Sequence, residues 1–123
     1  MAVGQLRSVV VDCIDPEPLA RFWAAVLDRE IAYADDGWIS LTTTAPGHPR
    51  VAFQKVPEAK VGKNRLHLDL WVPGIASATD AAEALGATRV GPLVTESAEA
   101  FQILLDPAGN EFCLVHIPGS TGP

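Results

Sequence analysis

RLHLDLWVPGIASATDAAEALGATRV, Arg65 to Val90, changes period in its middle, and that change decides the fold. From Arg65 to Val72 apolar and polar residues alternate as on a strand. His67, Asp69 and Trp71 share one face, and Leu66, Leu68, Leu70 and Val72 share the other. The leucine face can pack on a helix. Beyond it the spacing lengthens: Ile75, Ala78, Ala82 and Leu85 mark a helix that Gly86 ends. ATRVGPL, AFQILLD and EFCLVHI supply three further strands, with DPAGN (Asp106 to Asn110) as the turn before the last.

The first half runs in the same order. LRSVVVDCI (Leu6 to Ile14) is short and β-branched, as a buried strand should be. In DPEPLARFWAAVLDRE, Asp15 is placed to cap, Pro16 suits the first helical position, and Glu17 sits at the positive end. Leu19, Phe22, Trp23, Val26 and Leu27 then form one apolar stripe. Strands are expected around Glu30 to Ala34, Gly37 to Thr44 and Arg50 to Val56, with APGHP as a turn between the last two. Both halves therefore read β-α-β-β-β, and LDREI after the first helix answers LGATRV after the second. Each half is too small to bury both faces of its sheet alone. The expectation is one domain over residues 1–117, with module one at about 5–56 and module two at about 65–117. VPEAKVGKN joins the modules, and residues 118–123 read as a flexible tail.

Composition narrows the function classes. A chain of 123 residues that is 48% hydrophobic can bury a core without staples. Its net charge of −6, with no run of Lys or Arg, argues against a nucleic-acid surface, which needs clustered cations. No apolar stretch approaches the roughly 20 residues of a membrane span, and nothing resembles a signal peptide, so a cytoplasmic protein is expected. Cys13 and Cys113 each lie in an apolar run and read as reduced, buried small hydrophobes, and Cys113, with no flanking histidine or cationic residue in its motif, reads as an inert thiol. There is no glycine loop that would cradle a phosphate.

With these stretches in view, the chain resembles the vicinal oxygen chelate superfamily, and within it the small glyoxalase-like (glyoxalase/bleomycin resistance/dioxygenase) proteins. The resemblance is carried by DPEPLARFWAAVLDRE, RLHLDLWV, AAEALGATRV and DPAGNEFCLV, and it extends from about Leu6 to Ile117. It implies an α+β fold of two tandem βαβββ modules whose mostly antiparallel strands curl into a cup around a small-molecule ligand. Such cups are often completed by a homodimer, which their open strand edges and apolar rims would favour. It also implies a divalent metal held by inward-facing residues from the first and last strand of each module. His67 and Glu111 match the module-two positions. In module one the matching positions are Ser8 or Val9, and Arg50 or Ala52, with Gln54 nearby, so the metal ligand set is incomplete.

The residues add their own reading. His67 and Asp69 lie about 7 Å apart along one strand face, close enough for the carboxylate to orient the imidazole. Asp12, inside VVVDCI, must meet water, a pocket or a cation, since an unpaired buried charge is costly. Trp71 shares the His67 face, and Trp38 lies on another strand; both suit an aromatic wall. His67 and Asp69 are thus the candidate proton-transfer pair, and Asp12, Gln54, Trp38, Trp71 and Glu111 the candidate ligand contacts. Three functions compete. One is a metal-independent isomerase or lyase using His67. The second is a non-catalytic protein that sequesters a small molecule such as an antibiotic, and the third a metal-dependent lyase or dioxygenase.

Overall fold

Each module is built on a strand-helix-strand-strand-strand run, and the order is duplicated. The computed structural model describes residues 2–96 and 98–123. Module one contains β1 (Ser8–Cys13), α1 (Pro16–Leu27), β2 (Ile31–Ala34), β3 (Trp38–Leu41) and β4 (Arg50–Lys55). Module two contains β5 (Leu68–Trp71), α2 (Ile75–Leu85), β6 (Thr88–Glu96), β7 (Glu99–Leu105) and β8 (Glu111–His116). The expected β-α-β-β-β repeat is therefore present in both halves. The chain divides into two compact units, residues 1–59 and 60–123, and the division falls inside the VPEAKVGKN linker.

In module one the strand order is β1-β4-β3-β2, and in module two β5-β8-β7-β6. The first strand of each sheet runs parallel to the last, because the helix carries the chain back across the sheet between them. The other ladders are antiparallel.

Helix α1 buries Leu19, Ala20, Phe22 and Trp23, with Phe22 and Trp23 in edge-to-face contact at 5.4 Å. This is the face that the apolar stripe predicts. It closes over Ile39, Leu41, Val51 and Phe53, all buried. Asp15 occupies the N-cap position, yet its side chain makes no capping hydrogen bond. In module two, α2 lies against β7 and β8, where Leu104, Phe112 and Leu114 are buried. Its buried helix residues are Thr79 and Ala82, while Leu85, expected on the apolar stripe, is 45% exposed.

Two details differ from the sequence reading. RLHLDLWV alternates over eight residues, but only Leu68–Trp71 pairs as a strand, and Leu66 is 72% exposed. The partner strand accounts for the first part: β8 begins at Glu111, so Arg65 and Leu66 have no β8 residue beside them, and the ladder runs from Leu68 beside Phe112. The second difference is β6, which runs on to Glu96 by passing through a bulge between Val90 and Val94. Gly91 takes φ +68 there, and the buried Gln102 side chain donates to the carbonyls of Val90 and Gly91. The DPAGN turn forms as expected. Asp106 Oδ1 accepts from the backbone N–H groups of Ala108 and Asn110, both at 2.9 Å.

Candidate functional site

The face of module two opposite α2 carries a cleft of about 250 Å³. Alternation along the strands decides which side chains reach it. On β8, Phe112 and Leu114 turn toward the helix, so Glu111, Cys113 and Val115 turn to the open face. Phe101 and Ile103 of β7 pair with Val115 and Cys113 and complete an apolar floor. Asp69 stands beside Cys113 in the β5–β8 register, and His67 follows on the same face just outside the strand. Lys63 and Glu99 complete the lining.

His67 and Asp69, the pair expected from alternation, are in contact. Nδ1 of His67 lies 3.1 Å from Oδ1 of Asp69, and both side chains are about half exposed. Cys113, which the sequence places in the core, instead stands half-buried on the open face. The reason is parity: Cys113 lies between two helix-facing residues and must point the other way. Its ligand atom and those of His67 and Asp69 all lie within 4.8 Å of one another. Burial raises the Cys113 thiol pKa above its ordinary value and the Asp69 carboxylate adds to this, while Lys63 pulls it back.

Glu111 lines the same cleft but is already engaged. The Asn64 backbone N–H donates to its Oε2 at 2.9 Å, and Lys60 lies 3.8 Å from the same oxygen. That backbone donor holds Glu111 below the usual carboxylate range, against partial burial and with help from Lys60 and Lys63. Trp71 is half-buried; its Nε1 is buried without a hydrogen-bond partner among the described residues. It pairs with Val115 in the ladder but is not part of the cleft lining.

The remaining expected residues form a separate group in module one. Asp12, Gln54 and Trp38 stand side by side across β1, β4 and β3. Asp12 and Gln54 are exposed and Trp38 is half-buried. Module one also has a cleft of its own, about 480 Å³, lined by Asp15, Glu17, Arg21, Asp35, Asp36 and apolar residues of β2 and β3. The sequence reading did not single it out, although Asp35-Asp36 close to an acidic helix start was the available signal. Several of its charges are already paired: Arg21 with Glu17 at 2.6 Å, and Asp35 with the Tyr33 hydroxyl at 3.0 Å.

Register also tests the metal that the resemblance implies. Ser8 pairs with Arg50, the first residue of β4, and stands as far before α1 as His67 stands before α2, while Glu111 is the first residue of β8. Ser8, not Val9, is therefore the counterpart of His67, and Arg50, not Ala52, that of Glu111. An arginine cannot ligate a cation, and Oε2 of Glu111 already accepts from Asn64 with Lys60 nearby. The family-type donor set does not fit these residues.

A family profile described as a glyoxalase-like domain matches residues 8–115. No protein of curated function matches the sequence. The fold is similar to a glyoxalase/bleomycin resistance protein/dioxygenase family enzyme from Burkholderia phytofirmans. Identity is 18% and the TM-score 0.78, over 93% of this chain and 99% of that one. It is also similar to a glyoxalase-related enzyme from Fulvimarina pelagi, with 17% identity and a TM-score of 0.75 over 98% and 96%. A third similar structure is a glyoxalase/bleomycin resistance protein/dioxygenase from Nocardioides, with 12% identity and a TM-score of 0.77 over 100% and 89%. A duplicated βαβββ fold and a profile spanning nearly the whole chain agree with the resemblance to the vicinal oxygen chelate superfamily, and the chain belongs to the glyoxalase-like domain family.

Proposed function

We propose that the protein binds a small organic molecule in the module-two cleft and that His67 moves a proton on its carbonyl-bearing end, as in an isomerase or lyase. The apolar part of the molecule lies against Phe101, Ile103 and Val115, and its polar end faces His67. The observation that carries this reading is the 3.1 Å contact between His67 Nδ1 and Asp69 Oδ1 at the cleft. When Asp69 accepts a hydrogen bond from Nδ1–H, the lone pair of Nε2 is left free to take a proton from substrate. Asp69 then orients the ring and stabilises the imidazolium that forms. Of the other expected contacts, Glu111 lines this cleft, whereas Asp12, Gln54 and Trp38 group on module one and Trp71 lies outside the lining. The exposed outer strand β2 is the edge a homodimer would cover.

Turnover and binding of a panel of small carbonyl compounds by wild type and variants test this reading. For a substrate that is turned over, His67→Ala should lower kcat by about 10²- to 10⁴-fold while the compound still binds. Asp69→Asn should lower kcat less and leave KM nearly unchanged. Unchanged turnover in His67→Ala removes the proton-transfer role. Tight binding with no turnover in wild type assigns the sequestering role instead, which the acidic rim of Asp69, Glu99 and Glu111 would suit for a cationic ligand.

A further inference from the structure

The donor set that fails the family pattern leaves another one complete within module two. We propose that His67, Asp69 and Cys113 form a binding site for one borderline-soft divalent ion of the Zn²⁺ class, held by module two alone. Three kinds of donor atom meet there, an imidazole nitrogen, a carboxylate oxygen and a thiol sulfur, all within 4.8 Å of one another. Metal–ligand bonds of about 2.0–2.3 Å in a tetrahedral site place donors roughly 3.3–3.8 Å apart. Closing the gap needs a side-chain adjustment of about 1 Å, and His67 and Asp69 are exposed enough to make it.

The backbone already fixes the arrangement. Asp69 and Cys113 are register partners on the parallel β5–β8 pair, so their side chains leave the sheet together. His67 lies two residues before Asp69, where the chain is anchored by Asn64, whose N–H and side chain both bond to Glu111. Glu111 is thus a positioning residue for the turn that presents His67.

Chemistry selects the ion. A thiolate disfavours Mg²⁺ and Ca²⁺ and favours Zn²⁺, Co²⁺ or Ni²⁺. Carboxylate and thiolate together carry two negative charges, which a divalent ion neutralises. The Cys113 thiol gives its proton to solvent on binding. Three protein donors leave a fourth position that faces the cleft. The three donors would hold an ion whether or not His67 transfers a proton. Where it does, a bound ion engages His67 and silences it as a proton carrier, so the metal acts as an inhibitor.

Cobalt supplies the readout, because a Co²⁺–thiolate bond gives a charge-transfer band in the near ultraviolet. The full chain, stripped with chelator and kept reduced, is titrated with Co²⁺ and then with Zn²⁺. One equivalent of Co²⁺ should bind with the charge-transfer band, and Zn²⁺ should displace it. Cys113→Ser should abolish the band. His67→Ala and Asp69→Asn should each weaken Co²⁺ binding by about tenfold or more. The absence of stoichiometric binding in wild type overturns the site. So does binding without the band, a band that survives Cys113→Ser, or binding that His67→Ala and Asp69→Asn both leave unchanged. Because Cys113→Ser alters a half-buried position in the sheet, Asp69→Asn, at a half-exposed side chain, provides an independent test in a variant that keeps the fold. Binding of carbonyl compounds by metal-free protein is measured separately, so failure of the metal site leaves the proposed function standing or falling on its own data.

Discussion

Tyr33 is the chain's one tyrosine, so its ionisation can be read without interference. Its hydroxyl donates to Asp35, and the hydrogen bond and charge of that carboxylate raise the Tyr33 pKa above its usual 10. Asp35 is lowered, first by the Gly37 backbone N–H and then by Tyr33. The signs differ at the two ends of the pH scale. Tyr33 favours the folded state fully below the pKa of an unfolded tyrosine, and that contribution is lost as pH rises through the folded value. Asp35 contributes above the pKa of an unfolded aspartate, and its share is lost as pH falls through the folded value. Tyrosinate absorbance against pH should therefore give a midpoint above 10, and Asp35→Asn should bring it down. An unchanged midpoint in that variant would discard the pairing. At this scale the sequence was partly legible. The His67–Asp69 contact follows from a two-residue period, which can be counted along the strand. Cys113 did not stand out, because its partner Asp69 is 44 residues away in sequence and is supplied only by the parallel register.

Elements were legible where their signal is local. Both helices follow from apolar spacing, and Gly86, in the left-handed region at φ 119, ends α2 as expected. The DPAGN turn follows from Asp106, whose carboxylate substitutes for the missing backbone partners of the turn. What local pattern could not supply was pairing: β5 is shortened at its start, where β8 has not yet begun, and β6 is extended by a bulge that a buried glutamine from β7 satisfies. The α2 stripe also misread one position, because Thr79 is buried at 2% exposure while Leu85 is not. The Thr79 hydroxyl is buried and lacks a hydrogen-bond partner among the described residues. Thr79→Val keeps the shape and removes that cost, so it should raise unfolding free energy by about 1 kcal/mol. Chemical denaturation measures this directly, and a destabilised variant would mean that the hydroxyl has a partner in solution.

For the whole molecule, duplication was the legible feature and divergence between the copies was the informative one. The two modules share element order and sheet order, yet equivalent positions hold Ser8 and Arg50 in one and His67 and Glu111 in the other. Module two keeps the imidazole, the carboxylate and the thiol on one open face above an apolar floor. Module one has the larger cleft, but Glu17 there is paired with Arg21, and Asp35 accepts from Tyr33 and Gly37. That no described helix is long and apolar enough to cross a membrane matches the absence of any such run in the sequence. We propose that ligand chemistry belongs to the module-two face. Amide and imidazole NMR shifts of labelled protein, followed during titration with a small aryl ketone, test it most directly. The shifts should concentrate on His67, Asp69, Phe101, Ile103 and Cys113. Shifts centred instead on Asp15, Arg21 and Asp36, with His67 unmoved, would contradict it.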